Sequence, residues 1–396
     1  MNYRLSKGVL DLGQHLMNVA TGELYEVDEN GRALLSNLGT EESLPEGDTF
    51  DFMLNEGLLV DPSEKKDRDK FLVQLHLLNS CNLKCRHCYD WKTPVTSLTF
   101  EQNLVVIDNF IAFLKKMEMD GEISLTGGET LMYDRLIELI DYIKSRDVFI
   151  KPYILTNGTI IPKADLLDCL VRNDAGVQIS IDGTETIHDE IRGTGNYRKA
   201  IAGIKKYLAV GLKVSVHYVI MRRNVKAILE FVKEMEVLGI KRVNFSSLVP
   251  IGPGAQEEML TPAENRDVIE SVASLQKKCS IDLLSTRPLW STVGSSGFCP
   301  VGYNTLTIDP SGKFLPCRRL PITLGDARHD TFFRVWFGSE FLQKMRKREK
   351  YVKICGVCSQ ANVCGGCRAI AYAVKGDAFA PDPSCWQISQ KGGDDK

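Results

Sequence analysis

From Phe71 to Leu248 six short apolar runs alternate with five longer stretches that carry apolar residues at helical spacing. FLVQLHLL, EISLT, VFIKPYILT, GVQISID, LKVSVHYVI and KRVNFSSL read as strands, and stretches such as FEQNLVVIDNFIAFLKKME and NYRKAIAGIKKYLAVG as amphipathic helices. This alternation excludes most folds. A helix between successive strands returns the chain to the end of the sheet where it began, so the strands run parallel. Right-handed crossovers then curl the sheet into a full or partial α/β barrel, with chemistry at the C-terminal ends of the strands.

The flanks read differently. Residues 1–66 look like a separate small unit: ELYEVDE a strand, GRALLSNLG a helix, and FDFMLNEGLLVD a short helix, a turn at Gly57 and a closing strand. DPSEKKDRDK is charged and apolar-poor, as a linker would be. We expect the barrel over 67–255, with PIGPG (Pro250 to Gly254) ending the repeat, and a bridging helical segment over 256–295. From 296 to 396 the chain is rich in Cys, Gly and Pro and closes on the polar tail KGGDDK. Such a region lacks the apolar residues for a core, and bound metal would supply the missing folding energy. A net charge of −2 over 396 residues offers no basic excess for nucleic acid or an anionic membrane. The N-terminal residues show no secretory pattern and no apolar stretch is long enough to span a bilayer, so a cytoplasmic location is expected.

Twelve cysteines stand out from this ordinary composition. Cys169 and Cys279 lie singly in helical stretches and read as small buried apolar residues. The others fall into two spaced groups, which in a reducing compartment points to metal or cluster ligation. Cys81, Cys85 and Cys88, in SCNLKCRHCYD, put three thiolates on the loop after the first strand. Three close ligands without a fourth cysteine suit a [4Fe–4S] cluster with one open iron, and an open position is what catalysis needs. Structural zinc is the alternative, with His76 or His87 as fourth ligand. The second group is Cys299, Cys317, Cys355, Cys358, Cys364, Cys367 and Cys385. Its CxxC pairs would serve zinc as well as a cluster. Cys299 and Cys317 flank VGYNTLTIDPSGKFLP, a hairpin with DPSG as its turn.

CxxxCxxC on the loop after the first barrel strand resembles the radical SAM enzymes, over about residues 71–250. The resemblance implies a partial (β/α)6, TIM-like barrel. It also implies that the open iron binds S-adenosylmethionine (SAM), that one electron breaks the S–C5′ bond, and that the resulting radical takes a hydrogen atom from the substrate. Several SAM contacts follow from it. His87 would lie near the adenine. Gly127, Gly128 and Glu129 of LTGGET would hold the amino group, with Thr130 in place of the usual proline. Ser180 of SIDG would lie near the ribose and carboxylate, Arg192 of HDEIRG near the carboxylate, and Asn224 of YVIMRRN close by. TNG, at Thr156 to Gly158, closes the third strand.

The second cysteine group resembles the SPASM extension of that family. Gly312-x4-Cys317 fits, whereas two residues separate Cys364 and Cys367 where three are usual. The resemblance implies two auxiliary [4Fe–4S] clusters, three clusters in all. Cys355, Cys358, Cys364 and Cys385 would hold the outer one. Cys299, Cys317 and Cys367 would hold the inner one, with Cys279 as candidate fourth ligand and an open iron otherwise. Arg318 stands where some side-chain-oxidising SPASM enzymes have an aspartate base. A formylglycine-forming sulfatase maturase or similar dehydrogenase therefore fits less well, and the sequence names no other base.

Residues 1–66 loosely resemble the PqqD-like element of peptide maturases, a winged helix that takes a leader peptide as an added strand. Together the resemblances imply a maturase of a ribosomally made precursor peptide with a leader, supplied with electrons by a reductant such as flavodoxin or ferredoxin. Oxidative cross-linking (carbon–carbon, ether or thioether) is the expected reaction, ahead of decarboxylation or splicing. A non-enzymatic zinc-binding interaction protein is the rival from another class.

Overall fold

The computed structural model describes residues 3–6, 9–18, 23–38, 47–60, 69–90, 94–285, 288–293, 299–348, 351, 355–361 and 364–387. Most of the linker expected after residue 60, and the polar tail, lie outside these. The chain forms two units, Met1–Asp69 with Lys116–Met119, and Lys70–Lys115 with Asp120–Lys396.

The first unit pairs β1 (Arg4–Leu5) with a closing strand, and builds a meander from β2 (Val9–Asp11), β3 (His15–Asn18) and β4 (Leu24–Glu26). Two helices follow, α1 (Glu29–Ser36) and α2 (Asp48–Asn55), then β5 (Leu59–Val60), antiparallel to β1. The Asp28 carboxylate caps α1 by accepting from the Gly31 N–H at 2.8 Å. Gly57 turns the chain at φ +66°. Leu16, Leu34, Met53, Leu58 and Leu59 make a small core of its own. The strands before Leu24 carry too few apolar residues for a sequence pattern to disclose them.

In the second unit β6 (Lys70–Leu78), β7 (Asp120–Gly127), β8 (Ile150–Thr156), β9 (Gly176–Ser180), β10 (Val214–Ile220) and β11 (Arg242–Ser247) lie side by side and parallel. The crossovers are α3 (Phe100–Met117), α4 (Leu136–Lys144), α5 (Ala164–Arg172), α6 (Glu185–Arg192) with α7 (Asn196–Ala209), and α8 (Ile228–Val237). Alternation along the strands sorts two faces. Leu75, Ile123, Ile154, Ile179 and Val216 are fully buried. Gln74, Ser124, Gln178, Ser215 and Asn244 line an internal cavity of about 810 Å³.

The sheet extends beyond six strands at both edges. After α9 (Pro262–Gln276), residues expected to belong to a helical bridge form β12 (Asp282–Ser285), parallel to β11. DLLS is too short to show a period, so its strand state comes from the edge it joins. At the other edge the expected hairpin forms, β13 (Thr305–Ile308) and β14 (Lys313–Leu315). It does not stay within the cysteine-rich region: β13 pairs parallel with β6, and β15 (Gly325–Asp326) completes a ten-stranded sheet. Helices α10 (Phe332–Gly338) and α11 (Glu340–Arg346) follow, with Phe332 and Trp336 packed on Phe110 and Phe71. Near the C-terminus α12 (Arg368–Lys375) starts at Cys367. No helix among the described residues is long and apolar enough to cross a membrane.

Candidate active site at the strand ends

Cys81, Cys85 and Cys88 sit on the loop that leaves β6, and every neighbouring strand end helps to hold it. At the end of β7, Gly128 N–H donates to Leu78 O (2.8 Å) and Glu129 N–H to Ser80 O (2.9 Å). A Cβ on Gly127 or Gly128 would collide with the Leu78 or Ser80 carbonyl. The two glycines were expected to admit a ligand; what they demonstrably admit is the chain's own backbone. After β8, Asn157 Nδ2 donates to Asn82 Oδ1 at 2.8 Å. From α6, Ile191 O accepts from Arg86 N–H at 3.0 Å. The PIGPG segment does more than end the repeat: Gly254 N–H donates to Cys88 O at 3.1 Å, and Gly252 packs so closely on Tyr89 O that no side chain would fit.

One cavity of about 160 Å³ gathers Cys81, Cys85, Cys88, His87, Gly127, Gly128, Ser180 and Arg192. Glu129 and Asn224, also expected beside SAM, do not line it; both are fully buried behind its wall. Glu129 accepts from Thr156 Oγ1 (2.6 Å), Asn157 N–H (2.8 Å) and Leu131 N–H (3.0 Å). Burial raises its pKa and these bonds oppose the rise. Asn224 ties strand ends together, donating to Asp182 O (3.1 Å) and Val219 O (2.9 Å) and accepting from Met221 N–H (2.8 Å).

The organising charge is Asp182, which the sequence reading passed over in favour of Ser180 in the same SIDG segment. It is fully buried and accepts from Arg192 Nε at 2.6 Å and from Val219 N–H at 2.8 Å. His87 Nε2 lies 3.4 Å from it and 3.3 Å from Arg192 Nη2. Burial opposes the Asp182 charge, but Arg192, His87 and the Val219 N–H prevail and hold its pKa well below the carboxylate range. His87 is pushed down to about 4 by burial, against the pull of Asp182, and is neutral at pH 7.

Each sulfur of the loop meets an N–H donor: Leu83 N–H to Cys81 (3.4 Å), Asp90 N–H to Cys88 (3.4 Å) and Arg192 Nη1 to Cys85 (3.9 Å). Donors aimed at sulfur favour thiolate. Burial, opposed by Arg192, pushes the Cys85 thiol up to about 12, so a bound cation would favour its ionised form. Three clustered sulfurs with N–H donors around a cavity fit an iron–sulfur cluster. Among the described residues no three His, Cys, Asp or Glu side chains are placed to hold a single metal ion.

The C-terminal cysteines show the same local motif. Gln360 N–H donates to Cys358 and Gly366 N–H to Cys364, each at 3.4 Å. Cys299, Cys317 and Cys367 line the large cavity together. Cys385 and Cys355 lie close enough to add to the rise of the Cys364 pKa, which burial first drives up to about 12. Cys279 does not join them: it precedes β12, its sulfur at 3.5 Å from Ile281 O, and lines neither cavity. Cys169 is fully buried in α5, 3.7 Å from Asp141 Oδ1.

A fold with three cysteines at the first strand end of a parallel barrel, and a second cysteine set beyond it, defines an iron–sulfur enzyme class, and sequence models agree. The model of the radical SAM superfamily matches residues 75–235, and the chain is a member of that superfamily. The model of the SPASM iron–sulfur cluster-binding domain matches residues 299–359, so the chain is a radical SAM enzyme with a SPASM domain, and SAM and iron–sulfur clusters are its cofactors. It is 28% identical to an AdoMet-dependent heme synthase of Methanosarcina barkeri, over 79% of this chain and 95% of that one. It is equally 28% identical to the mycofactocin maturase MftC of Mycobacterium tuberculosis, over 78% and 81%. The fold matches SuiB of Streptococcus suis bound to S-adenosylmethionine, with a TM-score of 0.66 at 19% identity, covering 97% of this chain and 100% of that one.

Proposed function

We propose that this enzyme matures a ribosomally made precursor peptide by forming an oxidative cross-link, carbon–carbon, ether or thioether, at a side-chain carbon. The observation that carries the reading is the first unit. That unit, Met1–Asp69 with Lys116–Met119, carries a three-stranded sheet with two open edges among the described residues, at β2 and β4. Leu10 and Leu24 on these edges are more than half exposed, at 51% and 60%. An open edge accepts an extended peptide as a further strand through backbone hydrogen bonds, as a leader-recognition element requires. SuiB, of similar fold over 97% of this chain, has also been solved bound to its precursor peptide SuiA, and MftC is likewise a maturase.

In this reading 67–255 is the radical SAM barrel, 256–295 a bridge and 296–396 the auxiliary-cluster domain. Cys81, Cys85 and Cys88 hold the cluster that receives SAM. Cys355, Cys358, Cys364 and Cys385 hold an outer auxiliary cluster, and Cys299, Cys317 and Cys367 an inner one. When bound, the three clusters and SAM supply hydrogen-atom abstraction and an exit for the second electron, with flavodoxin or ferredoxin as reductant. The protein's own part is positioning. Gly127, Gly128 and Ser180 shape the wall, and Asp182 fixes Arg192 and His87 toward the cysteine loop. Glu129 and Asn224 hold the strand ends in place.

The test is anaerobic incubation of reconstituted protein with SAM, reductant and any short peptides encoded near its gene, followed by mass spectrometry. A product lacking two hydrogen atoms, formed together with 5′-deoxyadenosine, is expected. SAM cleavage that leaves every such peptide intact, while a Ser or Cys sulfatase peptide or a tetrapyrrole is altered, overturns the reading.

A further inference from the structure

We propose that Arg318 and Arg319 anchor a carboxylate group of the substrate. The inference rests on the reading that the barrel cavity receives the substrate. Both arginines follow Cys317 at the end of the β14 hairpin arm, and both line the cavity around the cysteine loop as well as the 810 Å³ cavity inside the barrel. Only Leu155, Gln178 and His217 are shared in the same way. The pair therefore stands at the junction of the two spaces.

Neither guanidinium forms an ion pair among the described residues, and Arg319 Nε is buried without a hydrogen-bond partner. Of the nearby carboxylates, Asp182 is committed to Arg192 and Glu129 to Thr156 and Asn157, and Asp90 on the cysteine loop also lines the smaller cavity. At the far rim of the large cavity Lys151 pairs with Asp174 and Arg242 with Asp282. The imidazoles near the arginines are neutral and add no further positive charge. Burial and then Arg318 push His76 down to about 3, and burial and then both arginines push His217 well below its ordinary value. Arg319 interacts with the Cys317 sulfur, which engages one side of one fork. Both side chains are half-buried on the cavity wall, and a planar carboxylate is the group their remaining forked N–H donors match. Because the same wall carries the SAM-side cysteines, an anchored carboxylate places the carbons beside it within reach of the chemistry.

The test uses reconstituted, SAM-loaded protein and two matched probe pairs: short fluorescent peptides differing only in Glu against Gln, and a porphyrin with free propionates against its methyl ester. Wild type should prefer the acidic member of a pair by about tenfold or more, R318Q/R319Q should lose that preference, and R318K/R319K should keep part of it. Iron content and the spectra of the clusters are read alongside. Acid-dependent binding of the peptide supports the anchor together with the peptide reading. Acid-dependent binding of the porphyrin alone keeps the anchor and removes the peptide reading. No preference within either pair, or a preference that survives in R318Q/R319Q, overturns the proposal. So does a variant that loses iron yet keeps the preference, since the arginines would then serve the Cys317 sulfur only.

Discussion

The two cysteine regions use the same local device and rest on opposite foundations. Around Cys81, Cys85 and Cys88, the ends of β7 and β8, the end of α6, the PIGPG segment and a buried ion pair hold the loop. Around Cys355, Cys358 and Cys364 the described residues before α12 hold little regular structure, and the chain turns through Gly365 and Gly366 at φ +65° and +66°. Contrary to the expectation that this region lacks a core, Ile370, Ala378 and Phe379 pack with Tyr351 and Met345, and Cys355 lies against that cluster. Polar side chains add to it: Asp382 accepts from Cys367 N–H at 2.6 Å, and Arg368 Nη1 donates to Ala378 O (3.0 Å) and Ala380 O (2.7 Å). The barrel builds a site that a cluster then occupies. In the proposed reading, the tail is a segment that a cluster would complete.

The largest expected effect tests this directly. Changing Cys81, Cys85 and Cys88 to Ala should abolish 5′-deoxyadenosine formation while hydrogen exchange in the barrel strands stays slow. Changing Cys355, Cys358, Cys364 and Cys385 to Ala should open residues 355–387 to fast exchange and to protease. Equal protection of both regions in both variants would break the comparison, and SAM cleavage by the first variant would end the mechanism.

A smaller effect sharpens it. Asp182→Asn leaves Arg192 buried without a counter-charge and should cost about 3–5 kcal/mol in urea unfolding, with or without iron. Asp382→Asn weakens bonds to the Cys367 N–H, the Ser384 N–H and the Ser384 hydroxyl. Its cost, about 1–3 kcal/mol, should be evident in iron-free protein and largely hidden once clusters bind. An iron-dependent Asp182→Asn would place both regions in one class.

How much of this was legible follows the same divide. Local spacing carried the strands, the crossovers and the cysteine loop, because parallel strands and CxxxCxxC are written in consecutive residues. Asp182 was not legible, because its partners Arg192 and Val219 come from other elements and only the folded barrel brings them to it. The same holds for Gly252 and Gly254, which read as a break in the repeat and serve as a clamp on Tyr89 and Cys88. Strand β12 was hidden by its length, and the attachment of β13 to β6 by its position beyond a cysteine. In the tail, spacing grouped the cysteines, while Asp382 and Arg368 left no periodic signal at all.

The smallest effect concerns how the barrel site answers to acid. His188, fully buried beneath Asp182 with Nδ1 accepting from the Asp182 N–H at 3.2 Å, is lowered to about 4 by burial and then by Arg192. The unfolded chain would protonate it near 6.5, so between those values the unfolded state binds more protons and stability falls as pH drops. Its contribution is complete above pH 6.5 and is withdrawn progressively toward pH 4, by about 3 kcal/mol at most. His188→Gln should therefore lower stability at pH 7.5 yet flatten the acid slope of urea midpoints in iron-free protein. A variant with an unchanged slope would mean that the acid sensitivity lies elsewhere, and that the charge network under the cysteine loop is not what holds the barrel half together.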